Sequence, residues 1–151
     1  MQRSITYKKS VKDFLLYIVL FIIYEALSSI YVFLPPLFGV LFVLLVYALD
    51  KDDTISVLVI AFCLVVFEAD KGYVLFSSII YLLLTYKFIL PRVIQGTNCV
   101  SCIKIAYIII AYLGFYLVNA LFANIFLLPM PEINYYIVYY IVIEFLIASL
   151  L

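Results

Sequence analysis

Long apolar runs, separated by short charged or proline-containing breaks, constrain this chain more than any other feature of its sequence. Hydrophobic residues make up 70% of the 151 positions and charged residues only 12%, and the mean hydropathy is +1.31. A soluble globule of this size needs far more polar residues to cover its surface. The composition therefore predicts an integral membrane protein, with residues 1–151 forming a single membrane domain.

The breaks between the runs predict an all-α fold with six transmembrane helices. Pro35-Pro36 and Pro91 interrupt the apolar pattern because proline cannot continue a helix, and the charged groups DKDD and EADK interrupt it between them. The predicted helices are residues 14–34, 37–49, 54–67, 73–90, 103–128 and 134–151. The first run follows a basic start, as in a signal peptide, but its length of about 20 residues favours a retained spanning helix.

Two of the predicted helices, residues 37–49 and 54–67, are too short to cross a hydrocarbon core of about 30 Å unaided. A thinner bilayer, the use of flanking residues, or a charged helix end below the lipid surface would resolve the mismatch. We define residues 68–72, Glu-Ala-Asp-Lys-Gly, as the charged segment. The third alternative makes this segment part of a depression reached by water.

The positions of the basic residues predict the orientation, because Lys and Arg in short loops remain cytoplasmic. One side of the six-helix map holds Arg3, Lys8, Lys9, Lys12, Lys51, Lys87, Arg92 and Lys104, and the other side holds only Lys71. We therefore expect both termini in the cytoplasm and the charged segment at the outer face.

Two acids interrupt the apolar pattern inside predicted helices. Glu25 and Glu144 lie near the middle of residues 14–34 and 134–151, where an unpaired ionised carboxylate costs several kcal/mol. They form an internal ligand or proton site, or they are buried acids bonded to Tyr, Ser or Asn on neighbouring helices. The sequence offers them no basic partner inside the predicted membrane. Asn119 is likewise expected either to form a hydrogen bond across helices or to contact a substrate.

A depression for a partner or a ligand is thus expected at the outer face. Its candidate residues are Glu68, Asp70, Lys71, Gly72, Glu25, Glu144 and Asn119. A second group consists of tyrosines in two pairs spaced by four residues: Tyr135, Tyr136, Tyr139 and Tyr140. Near a membrane interface such rings are aromatic anchors or a face for a protein partner, since Tyr is favoured at interface centres.

Residue types that the sequence lacks argue against an enzyme. The chain has no His, which excludes a Ser-His-Asp triad and a His metal site, and it has no P-loop. Cys99 and Cys102 form a C-x-x-C pair without a second pair, so they are either small residues at a helix start or a zinc or redox pair. We expect no catalytic residues, metal or cofactor, and the zero net charge indicates no nucleic-acid partner.

The order of these features resembles the MreD family of bacterial rod-shape-determining membrane proteins. In that family a pattern like GLLLD, a short glycine-containing turn and a helix begun by glycine mark the junction of the third and fourth helices. Here VVFEADKGYVLFSSIIYLLLTYK takes that place, with Glu68 or Asp70 at the acid and Gly72 at the later glycine. The glycine before the acid is absent, and the turn is shorter.

The resemblance implies a scaffold without enzymatic activity in the bacterial inner membrane. It implies a fold similar to the substrate-binding subunits of energy-coupling-factor transporters. The implied partners are an MreC-like protein and, through it, the cell-wall synthases and the MreB cytoskeleton. The alternative is a transporter subunit that binds a vitamin or metabolite through Glu25, Glu144, Asn119 and the charged segment.

Overall fold

The computed structural model describes residues 2–130, 132 and 134–150, with side chains from residue 13 onward, and all regular secondary structure in this part of the chain is helical. The helices are α1 (Gln2–Ile30), α2 (Phe38–Asp50), α3 (Thr54–Lys71), α4 (Ser77–Leu84), a π-helical turn (Thr85–Ile89), α5 (Leu90–Gly96), α6 (Val100–Phe126) and α7 (Tyr136–Leu150). The all-α prediction is confirmed. The predicted helix end at residue 151 and the side chains of Arg3, Lys8, Lys9 and Lys12 lie outside the described residues.

Three stretches are long and apolar enough to cross a membrane: Asp13–Ile30, Ser77–Gly96 and Val100–Phe126. Helices α2 and α7 are apolar but shorter, and α3 carries three charged residues in its last turn. The helices thus have the character expected of a membrane protein. The count of six spans stays a prediction.

The distribution of side chains is that of a protein in an apolar solvent. On α6, Leu113, Leu117, Leu121 and Ile125 form a stripe at a spacing of four residues, and each is at least half exposed. The buried residues, in contrast, include the polar side chains of Glu25, Ser28, Glu68, Ser77, Ser78, Thr85, Asn119 and Glu144. Polar groups at membrane depth face the interior of a bundle, where they find partners that lipid cannot supply.

Helix α2 lies at the centre of the bundle, in contact with α3, α6 and α7. Apolar residues cover all of its faces, and eight of its 13 residues are buried, as expected of a helix surrounded by others. Phe38 at its start packs against Phe115 of α6 and Phe67 of α3, with ring centroids 4.6 and 5.2 Å apart. This aromatic cluster joins three helices beneath the candidate site.

Contacts at the two ends of the bundle show that successive long helices run in alternating directions. Lys71 at the end of α3 contacts Glu25 in the last third of α1. At the other end, Tyr86 in the π-helical turn donates a hydrogen bond to Asp50 at the end of α2, at 2.9 Å. We call these the Lys71 end and the Lys104 end, since Lys104 lies near the start of α6.

The charged segment differs from its predicted form as a turn. Helix α3 continues through Lys71 and ends at Gly72, which has a left-handed conformation with φ of 72°. Glycine reaches that conformation without steric strain and commonly ends helices. The three charged residues are therefore helical, and the next helix begins at Ser77 instead of residue 73.

Pro91 does not end the fourth predicted helix, so the predicted boundary at Leu90 is wrong. The π-helical turn Thr85–Ile89 precedes it, and the N–H of Leu90 bonds to the carbonyl of Thr85. Proline inside a helix lacks an N–H and crowds the carbonyl four residues before it. The wider π turn accommodates the ring at the start of α5, and helical structure continues to Gly96.

The first helix begins and ends earlier than predicted, and the DKDD group caps the helix that follows it. Helix α1 begins at Gln2 instead of residue 14 and ends at Ile30 instead of residue 34. Tyr24 donates a hydrogen bond to the carbonyl of Pro35 at 2.7 Å. Asp53 is the N-cap of α3 and accepts hydrogen bonds from the hydroxyl and N–H of Ser56, at 2.6 and 3.4 Å. These bonds stabilise the carboxylate and lower the pKa of Asp53.

Candidate functional site

Lys71 is the centre of a polar cluster that joins α3 to α1. Its ammonium lies 3.7 Å from Glu25 Oε1 and 3.4 Å from Asp70 Oδ2. It donates hydrogen bonds to the hydroxyls of Ser28 and Ser29, at 3.2 and 3.0 Å. Ser29 in turn donates to Asp70. We call these five residues the lysine cluster.

The lysine cluster corrects the expectation that Glu25 lacks a basic partner. Because α3 continues to Lys71, the long lysine side chain reaches back along the bundle to a carboxylate that is only 1% exposed. Neither carboxylate oxygen of Glu25 has a hydrogen-bond partner among the described residues. The Lys71 charge is therefore the main compensation for burying this acid.

Glu68 holds the start of α4. Its carboxylate accepts hydrogen bonds from the N–H of Phe76 at 2.6 Å, the hydroxyl of Ser77 at 3.1 Å and the N–H of Ser78 at 2.5 Å. The first N–H groups of a helix have no partner within the helix, and a negative charge there also interacts favourably with the helix dipole. The side chain is fully buried. Glu68 therefore links α3 to α4.

Glu144 has the equivalent role at the start of α2. It accepts hydrogen bonds from the N–H of Val40, at 3.1 Å, and from the hydroxyl of Tyr112. Gly39 allows this approach, since a Cβ atom there would lie only 2.7 Å from Glu144 Oε2. The geometry corresponds to a buried acid bonded to a tyrosine of a neighbouring helix.

A cavity of about 550 Å³ opens beside the lysine cluster at the Lys71 end. Its aromatic walls consist of Phe38, Phe67, Tyr73, Tyr112, Phe115, Tyr116 and Tyr140. Its polar lining consists of Ser28, Ser29, Asp70, Lys71, Asn119, Glu132 and Asn134. A smaller cavity of about 380 Å³ shares Lys71, Asn119 and Glu132 with it and is also lined by Gly72. We call the first of these the large cavity.

The predicted site residues therefore separate into two groups. Asp70, Lys71, Asn119 and Tyr140 line the large cavity, and Gly72 lines the smaller one. The other group consists of three buried acids that do not line either cavity and that interact with other groups of the protein: Glu25, Glu68 and Glu144.

Asn119 does not bond across helices as one interpretation predicted. Its Nδ2 donates to the carbonyl of Phe115 on the same helix, at 3.0 Å, although the residue is only 6% exposed and lines both cavities. Asn124 makes the same local bond, to Ala120. Both amide groups thus donate a hydrogen bond to a backbone carbonyl of their own helix, α6.

The four tyrosines of the α7 region have different surroundings. Tyr135, Tyr136 and Tyr139 form a groove with Phe33, which we call the tyrosine groove. Tyr135 is 96% exposed, and the rings of Phe33 and Tyr139 meet edge to face at 5.5 Å. Tyr140 instead donates a hydrogen bond to the carbonyl of Val32, at 2.5 Å, and faces the large cavity.

Several residues of the large cavity were not predicted from the sequence. Tyr112, Phe115 and Tyr116 come from α6, as Asn119 does. Their spacing of three or four residues puts them on one face of a helix, and this periodicity is the signal that would have indicated them. Glu132 lies in an irregular segment, where no periodicity marks it.

Cys99 and Cys102 are exposed free thiols at the start of α6, and Cys99 is its N-cap. A hydrogen bond from Cys102 lowers the pKa of the Cys99 thiol. In the part of the chain that the structure describes, no three His, Cys, Asp or Glu residues come together as metal ligands do. The pair thus has the position of small residues at a helix start.

Comparisons with protein-family models, curated proteins and solved structures found no match to this chain. The resemblance to MreD therefore depends on the sequence features described above.

Proposed function

We propose that the protein is a six-span scaffold of the MreD type in the bacterial inner membrane. Both termini lie in the cytoplasm, and the Lys71 end faces outward. In this proposal the protein binds membrane proteins of the cell-elongation machinery, an MreC-like protein and the cell-wall synthases among them. It has no catalytic role of its own.

The exposed tyrosine groove is the observation that carries the proposal. Tyr135 and Phe33 are 96% and 72% exposed, although both are large aromatic residues. The groove they form has a volume of about 230 Å³ and lies beside the point where Tyr140 binds the carbonyl of Val32. Exposed, clustered tyrosines are typical of surfaces where partners are bound.

The orientation is supported by the charge distribution. Eight of the nine basic residues belong to the side of the six-helix map that carries the N-terminus, which indicates the cytoplasm. The alternating directions of the helices are compatible with six passes. A tyrosine groove at the opposite end is then available to the outer domains of membrane-anchored partners.

Site-specific photo-crosslinking tests the proposal. A benzophenone amino acid at position 135 should form an adduct with an MreC-like protein or a cell-wall synthase, identified by mass spectrometry. The matched control is the same probe at Leu121, which is 62% exposed on the apolar stripe of α6. Adducts of equal yield from both positions, or from neither, would contradict a partner surface at the tyrosine groove.

The large cavity favours a second function, the binding of a small molecule by a transporter subunit. Its volume of about 550 Å³ lies within the range of about 300–1,000 Å³ typical of ligand pockets. A vitamin or metabolite recovered from the purified protein by mass spectrometry would support this function. Co-purification of a cell-wall synthesis protein would support the scaffold.

A further inference from the structure

We infer that the large cavity binds an organic ammonium ion with an apolar body. This inference deepens the second candidate function by naming the ligand class, and it does not depend on the scaffold proposal. Three properties of the cavity support it: the balance of its charges, its hydrogen-bond acceptors and its aromatic walls.

The charge balance of the cavity disfavours an anion. Among its described lining residues the acids are Asp70 and Glu132, and the one base is Lys71. The Lys71 ammonium already lies within 3.4 and 3.7 Å of two carboxylates, those of Asp70 and Glu25. The lining thus holds two carboxylates against one ammonium, so a cation entering it lowers the electrostatic energy.

Several hydrogen-bond donors of the cavity are engaged with the protein, and the lining also offers acceptors. Lys71 donates to Ser28 and Ser29, the Tyr112 hydroxyl donates to Glu144, and Asn119 Nδ2 donates to a backbone carbonyl. The carboxylate of Glu132 and the amide oxygen of Asn119, in contrast, are acceptors. A ligand that supplies N–H donors therefore finds acceptors in this lining.

The walls supply both an apolar surface and ring faces. The Phe115 ring is at the centre of the aromatic wall. The ring centroids of Phe38, Tyr73 and Phe67 lie 4.6, 5.2 and 6.2 Å from its own centroid. An ammonium over an aromatic face is attracted by the ring quadrupole, most strongly where water is excluded. The apolar body of the ligand packs against the same rings, so one wall serves both parts of the molecule.

The test is a binding titration of the protein in phosphatidylglycerol nanodiscs. Three probes share a phenyl ring and differ in charge: 2-phenylethylammonium, neutral 2-phenylethanol and anionic 3-phenylpropionate. The cation should bind at least about tenfold more tightly than the neutral probe, and the anion most weakly. Equal affinities, tightest binding of the anion, or no binding of the cation would overturn the inference.

Two matched substitutions connect the binding to the cavity. Glu132→Gln removes a carboxylate from an exposed position of the lining and should weaken cation binding several-fold, with little effect on the neutral probe. Asp52→Asn makes the same change of charge at the Lys104 end and should have no effect. If the two variants weaken cation binding equally, the cation binds elsewhere and the inference fails.

An ammonium group has two sources, a soluble amine or the headgroup of a phosphatidylethanolamine lipid. Repeating the titration in nanodiscs that contain this lipid distinguishes them. Weaker apparent binding of 2-phenylethylammonium would identify the lipid headgroup as the competing ligand, and unchanged binding would identify a soluble amine. Both results retain the ammonium chemistry, while crosslinking at position 135 reports separately on the scaffold.

Discussion

Lys71 has two carboxylates and two hydroxyls around its ammonium, and each of these interactions depends on the length of one helix. Had α3 ended at residue 67, as the apolar pattern predicts, the ammonium would have belonged to a loop. The extra helical turn holds it against α1, where it compensates the buried Glu25. A residue that the sequence marks as an outer loop charge is therefore part of the interhelical packing.

Lys71→Met should destabilise the protein, because it leaves the carboxylate of Glu25 buried without a counter-charge. The free energy of unfolding should fall by about 3 kcal/mol. This is the lower end of the range for breaking a buried ion pair, because the Lys71 side chain is 24% exposed. Thermal unfolding in detergent measures it. The double variant Lys71→Met with Glu25→Gln should recover most of the loss. A double variant as unstable as the single one would contradict this role of the pair.

Glu68→Ala should lower stability by about 1–3 kcal/mol, because it removes the acceptor of three hydrogen bonds at the start of α4. Asp70→Ala is the matched control, since its carboxylate is 28% exposed and its ion pair contributes less than about 1 kcal/mol. Unfolding curves of both variants test the difference. Similar losses in the two would mean that Glu68 is not the specific link between α3 and α4.

At the scale of the helices, acids from distant parts of the chain complete two helix starts. Glu68 binds the first N–H groups of α4, and Glu144 of α7 binds the N–H of Val40 in α2. Neither start has a side-chain cap of its own, since Phe76 and Leu37 are the N-cap residues. The hydrogen bonding of these two helix starts therefore depends on the tertiary fold.

Gly39→Ala tests this arrangement at α2. The added methyl group would lie 2.7 Å from Glu144 Oε2 and 2.9 Å from Ile108 Cγ2, so the carboxylate must withdraw from the helix start. We expect a loss of about 1–3 kcal/mol in thermal unfolding. Gly96→Ala is the control, because a methyl group added there would have no described atom within 4 Å. An unchanged melting temperature for Gly39→Ala would show that the contact is not needed.

At the scale of the whole molecule, the two ends differ in chemistry. The Lys71 end carries both cavities and the tyrosine groove. The Lys104 end carries the exposed cysteines, and Lys104 itself donates to the carbonyl of Ala148 at the end of α7, at 3.0 Å. A cation near a helix C-terminus is favourable. The cavities and the tyrosine groove thus lie at one end of the bundle.

The exposed cysteines provide a test of orientation in intact cells. Cys99 and Cys102 are exposed at the Lys104 end, whereas Cys63 is buried. If that end faces the cytoplasm, a membrane-impermeant maleimide should label the pair only after the membrane is permeabilised. A Glu132→Cys variant should be labelled without permeabilisation. The reverse pattern would contradict the proposed topology.

The sequence alone determined the helical and apolar character of this protein. The length of an apolar run, a proline and a charge cluster each affect the helix boundary through residues close in sequence. These features therefore predict most helix boundaries to within a few positions. They gave wrong boundaries at the start of α1, at the π turn that accommodates Pro91, and at Gly72, which ends α3.

Only the tertiary structure decided which groups meet. The bond between Val40 and Glu144 joins residues 104 positions apart, and that between Lys71 and Ser28 joins residues 43 apart. Buried polar groups in a membrane bundle take whichever partner the packing brings near. A single sequence carries no direct record of that packing, which placed Glu68 and Glu144 at helix starts and Glu25 in an ion pair.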